Sequence, residues 1–301
     1  MSASSHEMAE GIPSVRAEAK SISRARLLYW SVRRELWENR SVYIAPLAAA
    51  GMFLVGLAFL PHHLHPKVRG GTWIHDAILQ PHMFAAGLMM FVGMIVGAQY
   101  CLSAFYNERR DRSILFWKSM PVSDTIAVLA KASVPILILP AITAVAGVAT
   151  QFLMLLMQGA AMSRDGMGVA ALWSELDFSH MALIMFYHLI IVHGLWHAPF
   201  YGWILMVSSW AKRATLMWTV LPGIAIVFLE KLLFGSSHFV AMLYYLSAGG
   251  DPGPSDGSMM DMLGHLELWQ MMRQPGLWTG LAVTAIFLAV AVRLRKSRGP
   301  L

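Results

Sequence analysis

The sequence has 301 residues, of which 57% are hydrophobic and only 13% charged, and its mean hydropathy is +0.55. Since soluble domains carry roughly 25% charged residues, this composition excludes a typical soluble enzyme and a disordered protein. It predicts an all-α polytopic membrane protein built as one domain. The net charge of +6 fits either nucleic-acid binding or the cytoplasmic flanks of membrane spans, and the positions of the charges decide between them.

The N-terminal part is predicted to have a disordered tail at 1–15 and a helix at 16–40. In that helix apolar residues recur at steps of three and four, while arginines line a different face. Such a helix lies in the headgroup plane of a membrane, or it is a soluble N-terminal helix. Trp30 and Trp37 favour the first interpretation, because tryptophan concentrates at membrane interfaces.

Six later stretches are long and apolar enough to cross a bilayer, which takes roughly 20 residues in helical form. We number them as the first to the sixth span, and they cover about 41–60, 83–105, 125–157, 181–210, 215–234 and 275–292. The third and fourth spans contain Pro135, Pro140 and Pro199, so we expect tilted or kinked helices there. Residues 16–301 are thus predicted to form a single transmembrane domain.

The basic residues are distributed unevenly between the two sides of this topology. Seventeen Lys and Arg lie in the N-terminal 40 residues, in the connections at 106–124 and 211–214, and after Val292, all of which face one side. Only four lie in connections that face the other side. The positive-inside rule therefore predicts cytoplasmic termini, and we expect no nucleic-acid partner.

The connection at 107–124 has the signals of a short helix. Glu108 is predicted to pair with Arg112 four residues later, and Pro121 after Met120 is predicted to end the helix. The apolar residues between these signals are Ile114, Leu115, Phe116 and Trp117. We expect these four side chains either to enter a groove on a partner or to fold back into the membrane interface as an aromatic belt.

A run of residues across this connection also carries a family resemblance. The run consists of Glu108-Arg109, Ser113, Leu115 and Met120-Pro121-Val122-Ser123, followed by an apolar helix with Lys131. It resembles the intracellular loop of type-2 ATP-binding-cassette (ABC) exporter permeases, and the stretch at 193–214 also resembles a segment of bacterial permeases of this class. The sequence departs from the pattern at Arg112-Ser113, where the family commonly has Gly-Thr or Gly-Ser.

The resemblance implies that the 107–124 connection forms a coupling helix, which docks on an ATPase subunit. The residues that it assigns to ATPase coupling are Glu108, Arg109, Arg112, Ile114, Leu115, Phe116, Trp117, Met120 and Pro121. The implied protein is a permease subunit in a bacterial inner membrane, with two cytosolic ABC ATPase subunits, a second permease copy in a homodimer, and membrane lipid as partners.

No lysine in the sequence follows a glycine, so the phosphate-binding loop of an ATPase is missing. ATP and Mg are therefore expected on the partner ATPase, and we expect no cofactor and no catalysis in this chain. The abundance of Met, Phe and Trp favours export of an amphipathic or hydrophobic cargo, such as a peptide, a drug or a lipid.

Polar residues within the spans are costly, and they often line a path or join helices. The candidates for a translocation path or a subunit seam are Gln99, Gln151, His188, His193 and His197. Hydrogen bonding between helices explains them equally well. Lys131, near the inner end of the third span, is expected to reach towards the membrane surface.

The segment at 235–274 is predicted to form external re-entrant helices between the fifth and sixth spans, or helices that lie on the lipid. In exporters that resemble this sequence such helices form the external gate, and the candidates for it are Tyr244, Tyr245 and Trp269.

Two other classes of function fit the same sequence. His193 and His197 are one helical turn apart, and with 22 methionines they suggest a membrane protein that handles copper or haem. A scaffold or sensor that transports nothing is the other alternative.

Overall fold

The computed structural model describes five stretches of the chain. They are 23–59, 73–120, 122–164, 178–248 and 272–297. The predicted tail at 1–15 and the first residues of the predicted helix at 16–40 lie outside these stretches. The described residues are helical almost throughout and contain no strand, as the composition predicts.

The helices of the described stretches are numbered in chain order. They are α1 (Arg24–Glu38), α2 (Ser41–Phe59), α3 (Trp73–Ala104), α4 (Tyr106–Arg110), α5 (Ser113–Ser119), α6 (Asp124–Ser133), α7 (Leu139–Arg164), α8 (Phe178–Tyr187), α9 (Ala198–Trp210), α10 (Thr215–Phe234), α11 (His238–Ala248) and α12 (Pro275–Ser297). Two π-helical segments, Val134–Ile138 and His188–Trp196, connect α6 to α7 and α8 to α9.

Within the described stretches, five helices are long and apolar enough to cross a membrane. They are Ser41–Phe59, Gln80–Arg110, Asp124–Ala161, Thr215–Phe234 and Pro275–Ser297. A sixth crossing is present if the pair Met181–Trp196 and Ala198–Trp210, which is bent by 44°, counts as one span. The prediction of an all-helical chain is therefore confirmed for the described residues, which contain five to six helices long and apolar enough to cross a membrane.

The third and fourth spans are irregular where the sequence has prolines. Pro135 lies in the first turn of one π-helical segment, and the fourth span bends just before Pro199. The two segments meet at Gly194, where a Cβ atom would collide with the backbone carbonyl oxygen of Ile136. The predicted kink is confirmed in the fourth span, whereas the third span is continuous and is irregular only in its π-helical segment. Because glycine permits close approach, the two spans cross at their backbones.

The spans differ in how much of their surface is covered. The fourth and sixth spans pack together, and a buried cluster around Tyr100, Leu139, Tyr201 and Leu205 joins them to the second and third. The fifth span, α10, has no buried residue along its length. It therefore leaves a long apolar helix exposed beside a packed bundle.

Candidate functional site: a buried ionic cluster and the connection it holds

Five charged side chains from distant parts of the sequence meet at one end of the bundle. Lys131 Nζ lies 2.9 Å from Glu35 Oε1 and 3.2 Å from Glu108 Oε1. Arg295 forms an ion pair with Glu108, and its Nε lies 3.0 Å from Asp124 Oδ1. We call these five residues the ionic cluster. A sixth charged group, Arg34, lies at its edge, with Nη2 2.6 Å from Glu35 Oε1 and 3.6 Å from Glu108 Oε1. The ionic cluster ties α1, the 107–124 connection, the third span and the sixth span to one another.

Four of the five side chains of the ionic cluster are almost completely removed from solvent, and the fifth, Asp124, is 22% exposed. The side chains of Glu35, Lys131 and Arg295 are 1%, 3% and 4% exposed, and Tyr100 donates a hydrogen bond to Glu35. Burial would raise the pKa of the Glu35 carboxyl, but the charges of Lys131 and Arg34 outweigh it, and that pKa lies below its usual value. Since buried charges are tolerated only when paired, the cluster forms as a unit.

Two sequence predictions are wrong at this cluster. Lys131 does not reach the membrane surface, because α1 packs along the third span and brings Glu35 over its ammonium group. Glu108 does not pair with Arg112, because its carboxylate turns inwards to Arg295 and Lys131.

The short helix α5 divides the apolar residues of the connection between two faces. Ile114 is only 2% exposed, while Leu115, Phe116 and Met120 are 58%, 59% and 41% exposed. Trp117 is half-buried, and the Arg34 guanidinium lies 3.8 Å from its ring centroid. Ile114 and Trp117 therefore fasten α5 to the bundle, and Leu115, Phe116 and Met120 form an exposed surface that we call the apolar patch.

The arginines of the connection have different surroundings. Arg109 is buried and donates hydrogen bonds to the backbone carbonyls of Ser208 and Ala211, at the end of the fourth span. Arg112 is exposed, and its backbone has a φ of +58° just before α5. Arg109 thus braces the connection rather than facing outwards. Pro121 lies outside the described residues.

The three histidines of the fourth span are bonded to protein groups. His193 Nε2 lies 3.0 Å from the Tyr201 hydroxyl, His197 Nδ1 lies 2.9 Å from the Val192 carbonyl oxygen, and His188 Nδ1 bonds within its own helix. The rings of His193 and His197 are 5.6 Å apart. These bonds favour the structural interpretation of the pair over a shared metal ion. In the described part of the chain, no group of three or more His, Cys, Asp or Glu residues is arranged to hold a metal.

The remaining path candidates separate into buried and exposed residues. Gln151 and His188 line a small cavity of about 40 Å³ between the second, third and fourth spans. Gln99 is exposed on the second span and does not join this buried group. A second buried polar pair, His82 with Gln158 at 3.1 Å, was not predicted from the sequence.

The gate candidates lie at the opposite end of the bundle from the ionic cluster. Tyr245 is half-buried, with its ring 5.5 Å from Trp196 and its hydroxyl 3.3 Å from Gln274. Tyr244, its neighbour, is exposed and lines a groove that also contains His197. One path candidate and one gate candidate are therefore brought together, while Trp269 lies outside the described residues.

Comparison of the chain with protein-family models, curated proteins and solved structures finds no match. The function is therefore inferred from the residues and from the surfaces that they form.

Sequence reasoning missed Glu35, Asp124 and Arg295 as parts of the site. The available signal was Lys131, since a lysine in an apolar span requires a partner of opposite charge. The sequence does not specify which of its acids supplies that charge.

Proposed function

We propose that the chain is the permease subunit of a type-2 ABC exporter. In this proposal two cytosolic ATPase subunits bind ATP and Mg, and a second copy of the chain completes the transporter. The observation that carries the proposal is the apolar patch of Leu115, Phe116 and Met120, which projects beside the ionic cluster. An exposed apolar surface of this kind is typical of a protein-binding site.

The contacts of α5 with the rest of the bundle suit an element that transmits the movement of a partner subunit. Trp117 connects it to α1, Arg109 connects its neighbour α4 to the fourth span, and Glu108 connects α4 to the third and sixth spans. Since buried ion pairs resist separation, a push on the patch reaches several spans together. This supports coupling of ATPase movement to a shift of the bundle between two states.

The backbone at Arg112 supports the family resemblance. Its φ of +58° is in the left-handed region, which glycine adopts most easily. Glycine is the residue that the family commonly has at this position. Arg112 therefore differs from the family pattern in its side chain, while its backbone has the conformation that suits the family's glycine.

The proposed orientation rests on the distribution of charge, and the proposed second copy rests on the exposure of the fifth span. The ionic cluster lies among the segments that carry most of the Lys and Arg, so we assign this end to the cytoplasmic face of a bacterial inner membrane. The uncovered fifth span favours assembly with another transmembrane subunit, and we propose a homodimer. The chain itself performs no covalent chemistry, and its cargo is amphipathic or hydrophobic.

Capture of cytosolic ATPases tests the proposal. We expect Leu115→Asp and Phe116→Asp each to lower ATPase co-purification about tenfold or more, because a central apolar contact is worth ~2 kcal/mol or more. Asn107→Asp is the matched control, since it introduces the same charge at an exposed site outside the apolar patch. Capture that is unchanged in both patch variants would contradict the docking surface.

Reconstitution separates an exporter from a scaffold or sensor. We expect vesicles that contain the chain and its ATPase to move a hydrophobic cargo only when ATP is hydrolysed. ATPase capture without any ATP-dependent movement would favour the scaffold.

A further inference from the structure

A groove of about 520 Å³ opens on the side of the bundle between the second span, the fourth span and α11. Its apolar wall includes Met94 of the second span and Phe200 and Ile204 of the fourth. Because two of its three sides belong to helices long and apolar enough to cross a membrane, we place the groove at membrane depth. Its volume falls within the roughly 300–1,000 Å³ that is usual for sites of small molecules.

The chemistry of the lining restricts what the groove can hold. None of the ten described residues that line it is Asp, Glu, Lys or Arg, and its one imidazole, that of His197, is bonded to the Val192 backbone carbonyl. A charged group at this depth would lose its hydration without gaining an ion pair, which is costly in a membrane. The part of an occupant that enters the groove is therefore uncharged and largely apolar.

The polar atoms of the lining are not spread evenly over it. The hydroxyl groups of Tyr244 and Ser247 lie one turn apart on α11. His197, on the facing fourth span, is already bonded to the backbone of Val192 and of Ser247. Tyr244 is 64% exposed, so its hydroxyl stands at the rim of the groove. The Tyr201 hydroxyl is instead bonded to the buried His193. One part of the groove thus offers hydrogen bonds, and the rest offers only apolar contact.

We propose that this groove binds an amphipathic molecule with an apolar chain and a small uncharged polar head, which enters from the lipid. The chain lies against Met94, Phe200 and Ile204, and the head hydrogen-bonds to the hydroxyl groups of Tyr244 and Ser247. The identification of this molecule as the cargo rests on the proposed exporter function. The binding itself does not.

Photolabelling tests the groove directly. The probe is a hexadecanol that carries a diazirine in its chain, added to the full chain in phosphatidylcholine nanodiscs, with the labelled residues mapped by mass spectrometry. We expect label on Met94, Phe200 and Tyr244 well above that on the exposed fifth span. Equal labelling of the groove and the fifth span would overturn the proposal.

A bulky substitution provides the matched comparison. Ala98→Trp fills the groove, whereas Ala225→Trp adds the same bulk to an exposed position on the fifth span. We expect groove labelling to fall about tenfold in Ala98→Trp, the effect of losing ~1.4 kcal/mol of binding, and to stay unchanged in Ala225→Trp. Unchanged labelling in Ala98→Trp would also overturn the proposal.

Competition by unlabelled compounds tests the site of the polar head without changing the volume of the groove. We expect unlabelled hexadecanol to compete better than hexadecane, and Tyr244→Phe to reduce that preference while the apolar chain still binds. Equal competition by the two compounds in the native protein would overturn the assigned head site.

ATPase capture by the same variants separates the two proposals. If Ala98→Trp captures ATPase normally and groove labelling is absent from the native chain, the groove proposal fails and the exporter proposal stands. If the groove is labelled but the Leu115→Asp and Phe116→Asp variants capture ATPase like the native chain, the docking proposal fails and the groove remains.

Discussion

Lys131 shows how a single residue organises the end of the bundle. Its ammonium lies between the carboxylates of Glu35 and Glu108, and its side chain is 3% exposed. Removing the cation leaves Glu35 with less compensation at a buried position. The contribution of Lys131 to the stability of the protein is therefore mainly the cost of leaving Glu35 unpaired when the lysine is removed.

We expect Lys131→Met to destabilise the protein by about 3–5 kcal/mol, the cost of breaking a buried ion pair from one side. The measurement is the free energy of unfolding in detergent or nanodiscs. The double variant Lys131→Met with Glu35→Leu should recover part of the loss, because the buried anion is also removed. A single variant as stable as the native protein would show that the pairing is dispensable.

The cluster also predicts sensitivity to acid. The pKa of Glu35 is lowered in the folded protein from its usual value of 4.5, so its ionised form is stabilised by folding. This stabilisation is complete above pH 4.5 and is lost as the pH falls through the folded pKa. We expect the unfolding temperature to drop in that acidic range in the native protein and to drop less in Glu35→Gln. Identical acid profiles for the two proteins would rule out this contribution.

At the scale of elements, the two π-helical segments are the most specific feature of the bundle. They interrupt the third and fourth spans at the same level, and Gly194 lies against the Ile136 carbonyl. π-helical turns are frequent at functional sites, since they loosen the regular hydrogen bonding of a helix. The crossing is therefore a close backbone contact between two irregular helices.

We expect Gly194→Ala to destabilise the protein by about 1–3 kcal/mol, because the added methyl group overpacks against rigid backbone. Gly223→Ala is the control, since a Cβ atom there meets nothing within 4 Å. In that exposed helix the same substitution should be neutral or stabilising by about 0.5–1 kcal/mol. The measurement is again the free energy of unfolding, and equal effects at the two positions would contradict the close crossing.

Another element, α11, is fixed by a residue of the preceding span. Glu230 accepts hydrogen bonds from the Ser236 hydroxyl and from the backbone N–H groups of His238 and Phe239, at the start of α11. The carboxylate thus caps that helix and sets the turn after the fifth span. This turn directs α11 back to the fourth span, where it forms one side of the groove.

At the scale of the whole molecule, the two ends of the bundle have different chemistry. One end holds the ionic cluster and the apolar patch, the other holds the packed Tyr245, and the groove lies along the second and fourth spans between them. The fourth span connects these parts, since its end accepts hydrogen bonds from Arg109 and its middle carries His193 and His197. Under the proposed function, this span carries the ATPase movement to the cargo groove.

Much of the fold could be predicted from the sequence because its signals are local. Apolar length determines where a helix can cross a membrane, and proline marks where the helix is irregular, as in the π-helical segment at Pro135 and the bend before Pro199. The short helix of the 107–124 connection and its apolar residues follow from local signals as well.

The assignment of those residues to faces was decided only by the tertiary structure. Ile114 and Leu115 are adjacent and equally apolar, yet one is buried and the other exposed, because α5 lies against α1 and the spans on one side only. The ionic cluster depends on contacts between residues as distant as Glu108 and Arg295. The sequence by itself therefore determined a bundle of apolar helices, since hydrophobic length acts locally, and only the packing of those helices decided which charges meet and which surface remains free.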